Sequence, residues 1–190
     1  MEWILASASP RRKQLLKEIV PAFTILPAKS EERVDASLRP SELVVSLATQ
    51  KALEIAALDV AKEKAVLGAD TIVVLDGEVL GKPKDETDAV RMLTALSGRK
   101  HEVYTGVCIT YPHGDTRKQI ARFATTDVYF RKLTQDEITA YVKTGSPMDK
   151  AGAYGIQDGG LVKEIKGSFT GVVGLPIELC KQLFHKAQEL

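Results

Sequence analysis

A chain of 190 residues that is 44% hydrophobic can bury one sizeable core, and 26 Lys and Arg against 25 Asp and Glu give it no bulk charge with which to hold duplex DNA. Cys108 and Cys180 are isolated thiols that build neither a C-x-x-C pair nor a disulfide framework, so a reducing, cytoplasmic setting is expected. Met1-Glu2-Trp3-Ile4-Leu5 lacks the basic start of an export signal, and no apolar run approaches the ~20 residues that span a bilayer.

Residues 3–6 read as a short buried strand, which runs through Ser7-Ala8-Ser9 into a helix opened by Pro10. Leu15, Leu16 and Ile19 mark that helix's buried face until Pro21 stops it, and residues 23–26 return as a strand. After a polar stretch at 29–39, Pro40-Ser41-Glu42 opens a longer helix with Leu43, Leu47, Ala48, Lys51 and Ile55 in register; Lys51 is a charge on a mostly apolar stripe. Ala65–Leu75 reads as a central strand interrupted by Asp70, turning at Asp76-Gly77 into Glu78-Val79-Leu80. A helix is expected over 85–96, ending near Ser97-Gly98. Alternation in 102–111 and 121–130 predicts two strands paired antiparallel across the turn Pro112-His113-Gly114-Asp115. Thr134 and Glu137 make a capping box for a helix to Val142, and Leu175-Pro176 introduces a closing helix. Between these two helices, 152–174 is dense in glycine. With no repeat and no domain-length linker, one domain over residues 1–190 is expected, with two lobes around a cleft.

Several constellations could carry chemistry. Ser7-Ala8-Ser9-Pro10-Arg11-Arg12 places hydroxyls and two guanidinium groups at a helix start, where free N–H groups already favour an anion; it reads as a phosphate site or, equally, as an N-cap flanked by solvated arginines. Gly68-Ala69-Asp70-Thr71 puts a carboxylate inside a buried run. Such a charge needs a cation, a metal or dense hydrogen bonding, so it marks either a site or a structural salt bridge. Glu31-Glu32 could join Asp70 in holding Mg2+, or could be a solvated loop. Lys82, in Gly81-Lys82-Pro83, and Lys51 could bring two ammonium groups to one cleft, although each alone reads as a surface lysine. The run 149–157, which carries Lys150 and Gln157, is rich in small residues, as where backbone meets a ligand. His101, His113 and His185 have no metal-ligand or triad spacing.

At these residues the sequence resembles the Maf family of nucleoside triphosphate pyrophosphatases, the septum-formation inhibitor family, over nearly its whole length. The matching segments are Leu5-Ala6-Ser7-Ala8-Ser9-Pro10-Arg11-Arg12, Gly68-Ala69-Asp70-Thr71, Gly81-Lys82-Pro83, Leu96-Ser97-Gly98, Asp149-Lys150-Ala151-Gly152-Ala153-Tyr154-Gly155-Ile156-Gln157 and Val173-Gly174-Leu175-Pro176. The resemblance implies an α/β fold similar to inosine triphosphate pyrophosphatases, with an elongated, curved mixed sheet, flanking helices and two lobes around the nucleotide cleft. It also implies a homodimer.

By the same resemblance Asp70 is the catalytic aspartate, and Ser7, Arg12, Glu32, Lys51 and Lys82 handle phosphate and metal. Arg11, Thr71 and Gln157 fall on positions that discriminate substrates, in a combination like the dTTP/UTP branch rather than the 7-methyl-GTP branch. The chain departs from the family at Asp158, where glycine is usual, and at Phe169, where tyrosine is common. The expectation is therefore hydrolysis of dTTP or UTP to the monophosphate and pyrophosphate, with Mg2+ or Mn2+ on Asp70 and Glu32 and with Lys150 among the substrate contacts. No nucleic-acid or membrane partner is expected. The rival is a nucleotide-binding regulatory module of septum formation that does not turn its ligand over.

Overall fold

The computed structural model describes residues 1–188. In chain order the first elements are β1 (Trp3–Leu5), α1 (Pro10–Lys17), β2 (Thr24–Ile25), α2 (Pro40–Ala56), β3 (Ala65–Leu75) and β4 (Glu78–Leu80). There follow α3 (Glu86–Leu96), β5 (Lys100–His113), β6 (Thr116–Phe130), α4 (Gln135–Lys143), β7 (Val162–Lys166), α5 (Phe169–Val173) and α6 (Ile177–Gln188). The strands form one mixed seven-stranded sheet in the order β2-β1-β3-β5-β6-β7, with β4 also paired to β3.

β3 is the strand on which the site is built. Its Ala, Val, Leu and Ile residues are buried on both faces, as expected of a strand covered from both sides, and only Thr71 is half-buried. β5 runs antiparallel along one edge, from Val66↔Thr110 to Val74↔Glu102. The other edge is shared. β1 pairs in parallel as far as Leu5↔Leu67, and β4 pairs antiparallel from Val73↔Leu80. Ala6 N–H still reaches the Leu67 carbonyl at 2.8 Å, but residues 68–72 have no strand partner on that side among the described residues.

The two faces of β3 follow from its period of two. Ala65, Leu67 and Ala69 join a core with α1 and α6, whereas Val73 and Leu75, on the same face, join a second core with α3 and α4. Thr71 and its register partner Thr105 stand at the boundary, their hydroxyl oxygens 2.9 Å apart. On the opposite face α2 covers Val66 at one end and Ile72 and Val74 at the other. Cys108 lies under α2 and Cys180 in the α1/α6 core, both free, so the sheet separates the two thiols.

Two sequence expectations need correction, and one segment read only by its composition contains elements. The hairpin between β5 and β6 closes on His113↔Thr116, so the turn is Gly114-Asp115, with Gly114 at φ 57°, and Pro112 belongs to the strand. Pro112 lies beyond the last β3 partner of β5, where a missing N–H breaks no bond of that ladder. The first helix ends at Lys17, leaving Ile19 packed against the core from a turn. The glycine-dense 152–174 segment contains elements, namely β7, a charged strand at the sheet edge, and the five-residue α5.

Candidate active site

The unpaired stretch of β3 opens onto a cleft of about 770 Å³, within the range of small-molecule sites. Its lining brings together every site residue expected from sequence: Ser7, Arg11, Arg12, Glu32, Lys51, Asp70, Thr71, Lys82, Lys150 and Gln157. They come from the β1–α1 junction, the 29–39 loop, α2, β3, the segment after β4 and the 149–157 wall.

Asp70 points to the α2 side. The Lys51 ammonium donates to it and forms an ion pair with Glu32 at 2.8 Å, so one cation lies between two carboxylates. The side chains of Lys51 and Asp70 are 18% and 13% exposed, a nearly enclosed pair, whereas Glu32 is 43% exposed. The loop that carries Glu32 is tied to α2 on both sides of it. Glu54 accepts from the Lys29 and Ser30 N–H groups, and Gln50 exchanges bonds with the Arg33 backbone. Glu31 is exposed.

Arg12 approaches Thr71 from the other face of the sheet. Ser9 caps α1 by accepting from the Arg12 N–H, and Pro10 occupies the helix's first position. The Arg12 guanidinium donates to the Gly174 carbonyl at 2.8 Å, to Thr71 at 3.1 Å and more weakly to Ser7 at 3.4 Å. Burial holds its pKa below the ordinary guanidinium value and the Asp70 charge opposes that shift, which leaves it a permanent cation. Thr105, beside Thr71, continues this set of bonds by donating to the Gly171 carbonyl of α5 at 2.7 Å. Sequence reasoning missed Thr105. Its place beside Thr71 follows from the register of β5 on β3, which no local pattern signals.

The remaining cations differ in their freedom. Lys82 is exposed in the cleft and makes no ion pair or hydrogen bond among the described residues. Arg11 lies 3.7 Å from Asp149. Lys150 turns its ammonium to the Ser146 carbonyl at 2.5 Å, the Ser146 hydroxyl at 2.9 Å and Asp149 at 3.0 Å, so its charge is already paired within the wall. That wall lies flush against β3, because a Cβ on Gly152 (φ 68°) would come 2.9 Å from a Val73 methyl. The next residue, Ala153, is also left-handed at φ 61°, a strained conformation for a residue with a side chain. Of the departures noted in sequence, Asp158 accepts from Tyr141 and Ser146, and Phe169 is exposed at the head of α5.

A carboxylate at the open edge of a central strand, faced by guanidinium and ammonium groups from distant parts of the chain, defines an α/β protein equipped to hold a polyanion and act on it. The model of the Maf-like protein family matches residues 2–187, and the chain belongs to that family. It is 47% identical to a dTTP/UTP pyrophosphatase of Bdellovibrio bacteriovorus, covering 96% of this chain and 97% of the relative. It is 48% identical to one of Thermococcus gammatolerans (95% and 94% covered) and 47% identical to one of Vibrio cholerae (96% of each). The solved Staphylococcus aureus Ham1 protein is a distant likeness, with a TM-score of 0.46 and 19% identity over 68% of this chain and 72% of its own.

Proposed function

We propose that this chain is a nucleoside triphosphate pyrophosphatase that cleaves the α–β anhydride of dTTP and UTP to the monophosphate and pyrophosphate. The observation that carries the reading is Asp70, a carboxylate placed among Lys51, Arg12 and Lys82 in a cleft of nucleotide size. Relatives 47–48% identical over almost the full chain bear that activity in their names. Asp70 orients or deprotonates the attacking water. Lys51 holds Asp70 in place, and Arg11, Arg12 and Lys82 take up charge on the triphosphate and on the departing pyrophosphate, with Ser7 as a hydroxyl donor. Thr71 and Gln157 contribute to base discrimination. Polar groups that match a pyrimidine and are covered when it binds reject other bases, because a mismatched base leaves them unpaired.

Glu32 and Asp70 also fit a hard divalent cation, Mg2+ or Mn2+: both are oxygen donors, and both converge on the Lys51 ammonium, so a positive centre already lies between them. Among the described residues no group of three His, Cys, Asp or Glu side chains gathers around one point, which leaves the other ligands to water and phosphate, as Mg2+ prefers. When bound, the ion supplies charge neutralisation for the triphosphate. A homodimer in the cytosol, without nucleic-acid partners, completes the proposal. The family resemblance supports the dimer, two buried free thiols support the reducing compartment, and the near-neutral composition supports the absence of nucleic acid. No described helix is long and apolar enough to cross a membrane.

The test is a panel of triphosphates with Mg2+ or Mn2+ in which pyrophosphate and orthophosphate are resolved, run on the native chain and on Asp70→Asn. We expect pyrophosphate from dTTP and UTP, and a loss of ~10²-fold or more in the variant, the scale for removing a positioned general base. Orthophosphate release, or full dTTP hydrolysis by Asp70→Asn, would falsify the reading. Saturable binding with no product would favour the regulatory module. Asp70 counts against that rival, since an anion beside a triphosphate hinders binding unless a metal intervenes.

A further inference from the structure

Behind the 149–157 wall, three side chains outside the cleft lining meet at one point. Asp158 accepts from the Tyr141 hydroxyl and from the Ser146 hydroxyl, each at 2.6 Å. The Tyr141 oxygen in turn accepts from the Gly155 N–H at 3.0 Å. Asp158 is therefore joined, through a tyrosine borne on α4, to the backbone two residues before Gln157. The wall is closely fitted at that residue, for a Cβ on Gly155 would lie 2.8 Å from the Lys150 stem and 3.2 Å from the Gln157 amide.

The direction of these bonds is determined. An ionised carboxylate only accepts, so Tyr141 must give its single proton to Asp158 and turn a lone pair to Gly155. Burial and then the bond to Asp158 raise the pKa of Tyr141, which keeps its proton. Burial would also raise Asp158, but the bonds from Ser146 and Tyr141 prevail and hold it below the usual carboxylate range, so it stays ionised at neutral pH. A glycine at 158 would leave the hydroxyl free to rotate.

We propose that Tyr141, oriented by Asp158, is a positioning residue that fixes the Gly155–Gln157 backbone and thereby sets the preference for one pyrimidine over another. This rests on the reading of the cleft as a pyrimidine nucleotide site. Tyr141→Phe keeps the ring and removes the hydroxyl, and Asp158→Gly removes the orienting carboxylate at a residue outside the cleft lining.

The experiment measures dTTP and dCTP affinity by calorimetric titration on the Asp70→Asn background, kcat and KM on the native background, and the thermal midpoint of each variant. Loss of one hydrogen bond from a pre-formed wall predicts that Tyr141→Phe lowers the dTTP:dCTP affinity ratio about tenfold, with Asp158→Gly in the same direction and the effect in KM rather than kcat. A lowered midpoint with an unchanged ratio would assign the cluster to stability and overturn the inference. Pyrimidine discrimination that falls in the variants while the native chain releases no pyrophosphate would sustain the inference and refute the pyrophosphatase reading. A native chain that binds neither nucleotide would overturn both.

Discussion

Gly68 on β3 and Ala48 on α2 meet backbone to backbone: a Cβ on residue 68 would lie 2.4 Å from the Ala48 carbonyl oxygen. Gly106, on the neighbouring strand, abuts Val44 in the same way, at 2.3 Å. These absent side chains let α2 lie directly on the sheet, and that approach carries Lys51 onto Asp70. Gly68→Ala should push the helix outward, costing about 1–3 kcal/mol by overpacking and lowering kcat as the ion pair opens. Urea denaturation together with turnover checks this. A variant as stable and as active as the native chain would show that the close approach is not what seats Lys51.

Arg12 carries both structure and charge. Its Nε reaches the Gly174 carbonyl, and another nitrogen of the same fork reaches Thr71, so one planar group ties α1 to β3 and to the α5–α6 junction. Arg12→Lys preserves the charge but cannot make both bonds. We expect kcat/KM to fall ~10²-fold, with stability lower by about 1–2 kcal/mol because an acceptor inside the cleft is left unpaired. A lysine variant within about twofold of native kcat/KM would mean that charge alone suffices.

Much of this was legible in the sequence because it follows from local conflict. Asp70 stood out as a charge in an apolar strand, and Lys51 as a charge on an apolar helix face; the fold resolves each with the other. The strand–turn–helix signal at Ser7 to Arg12 likewise appears as a capped helix start lining the cleft. β7 escaped because an edge strand reading Val-Lys-Glu-Ile-Lys needs little apolar content, and α5 because five residues give no period. Thr105, Tyr141 and Ser146 could not be found that way. Each is unremarkable in its own segment and acquires its role only from a partner brought near by register or by the return of the chain.

His101 offers a pH signature outside the cleft. It is 2% exposed between Phe130 and Tyr154, one ring nitrogen 2.7 Å from the Tyr154 hydroxyl and the other without a hydrogen-bond partner among the described residues. Burial lowers its pKa from 6.5 to about 4. Between those values the unfolded chain binds a proton that the folded chain refuses, so stability falls as pH drops from about 6.5 to about 4, by on the order of 3 kcal/mol in total. His101→Gln, which can keep a bond to Tyr154 but does not titrate, should flatten that slope in denaturation measured across the window. Glu137, held near 2 chiefly by its bond from Arg131, loses its stabilising contribution between its ordinary value of 4.5 and about 2. Its window therefore lies mostly below that of the histidine. An unchanged slope from 6.5 to 4 in the variant would mean other groups govern the acid limb.

Removing Lys51 separates its two roles. In Lys51→Met, Asp70 and Glu32 lose the cation between them, and two carboxylates are left to repel. Without metal the variant should be roughly 2–3 kcal/mol less stable, below the ~3–5 kcal/mol of a fully buried pair because the cleft admits water. Millimolar Mg2+ or Mn2+ should then raise its melting temperature more than that of the native chain, since an ion that binds only the folded state stabilises it in proportion to its affinity and no longer competes with an ammonium group. Turnover should still be low, because the group that holds Asp70 in place is gone. Equal metal-induced shifts in the two proteins would place the cation away from Asp70 and Glu32, whatever the effect on rate.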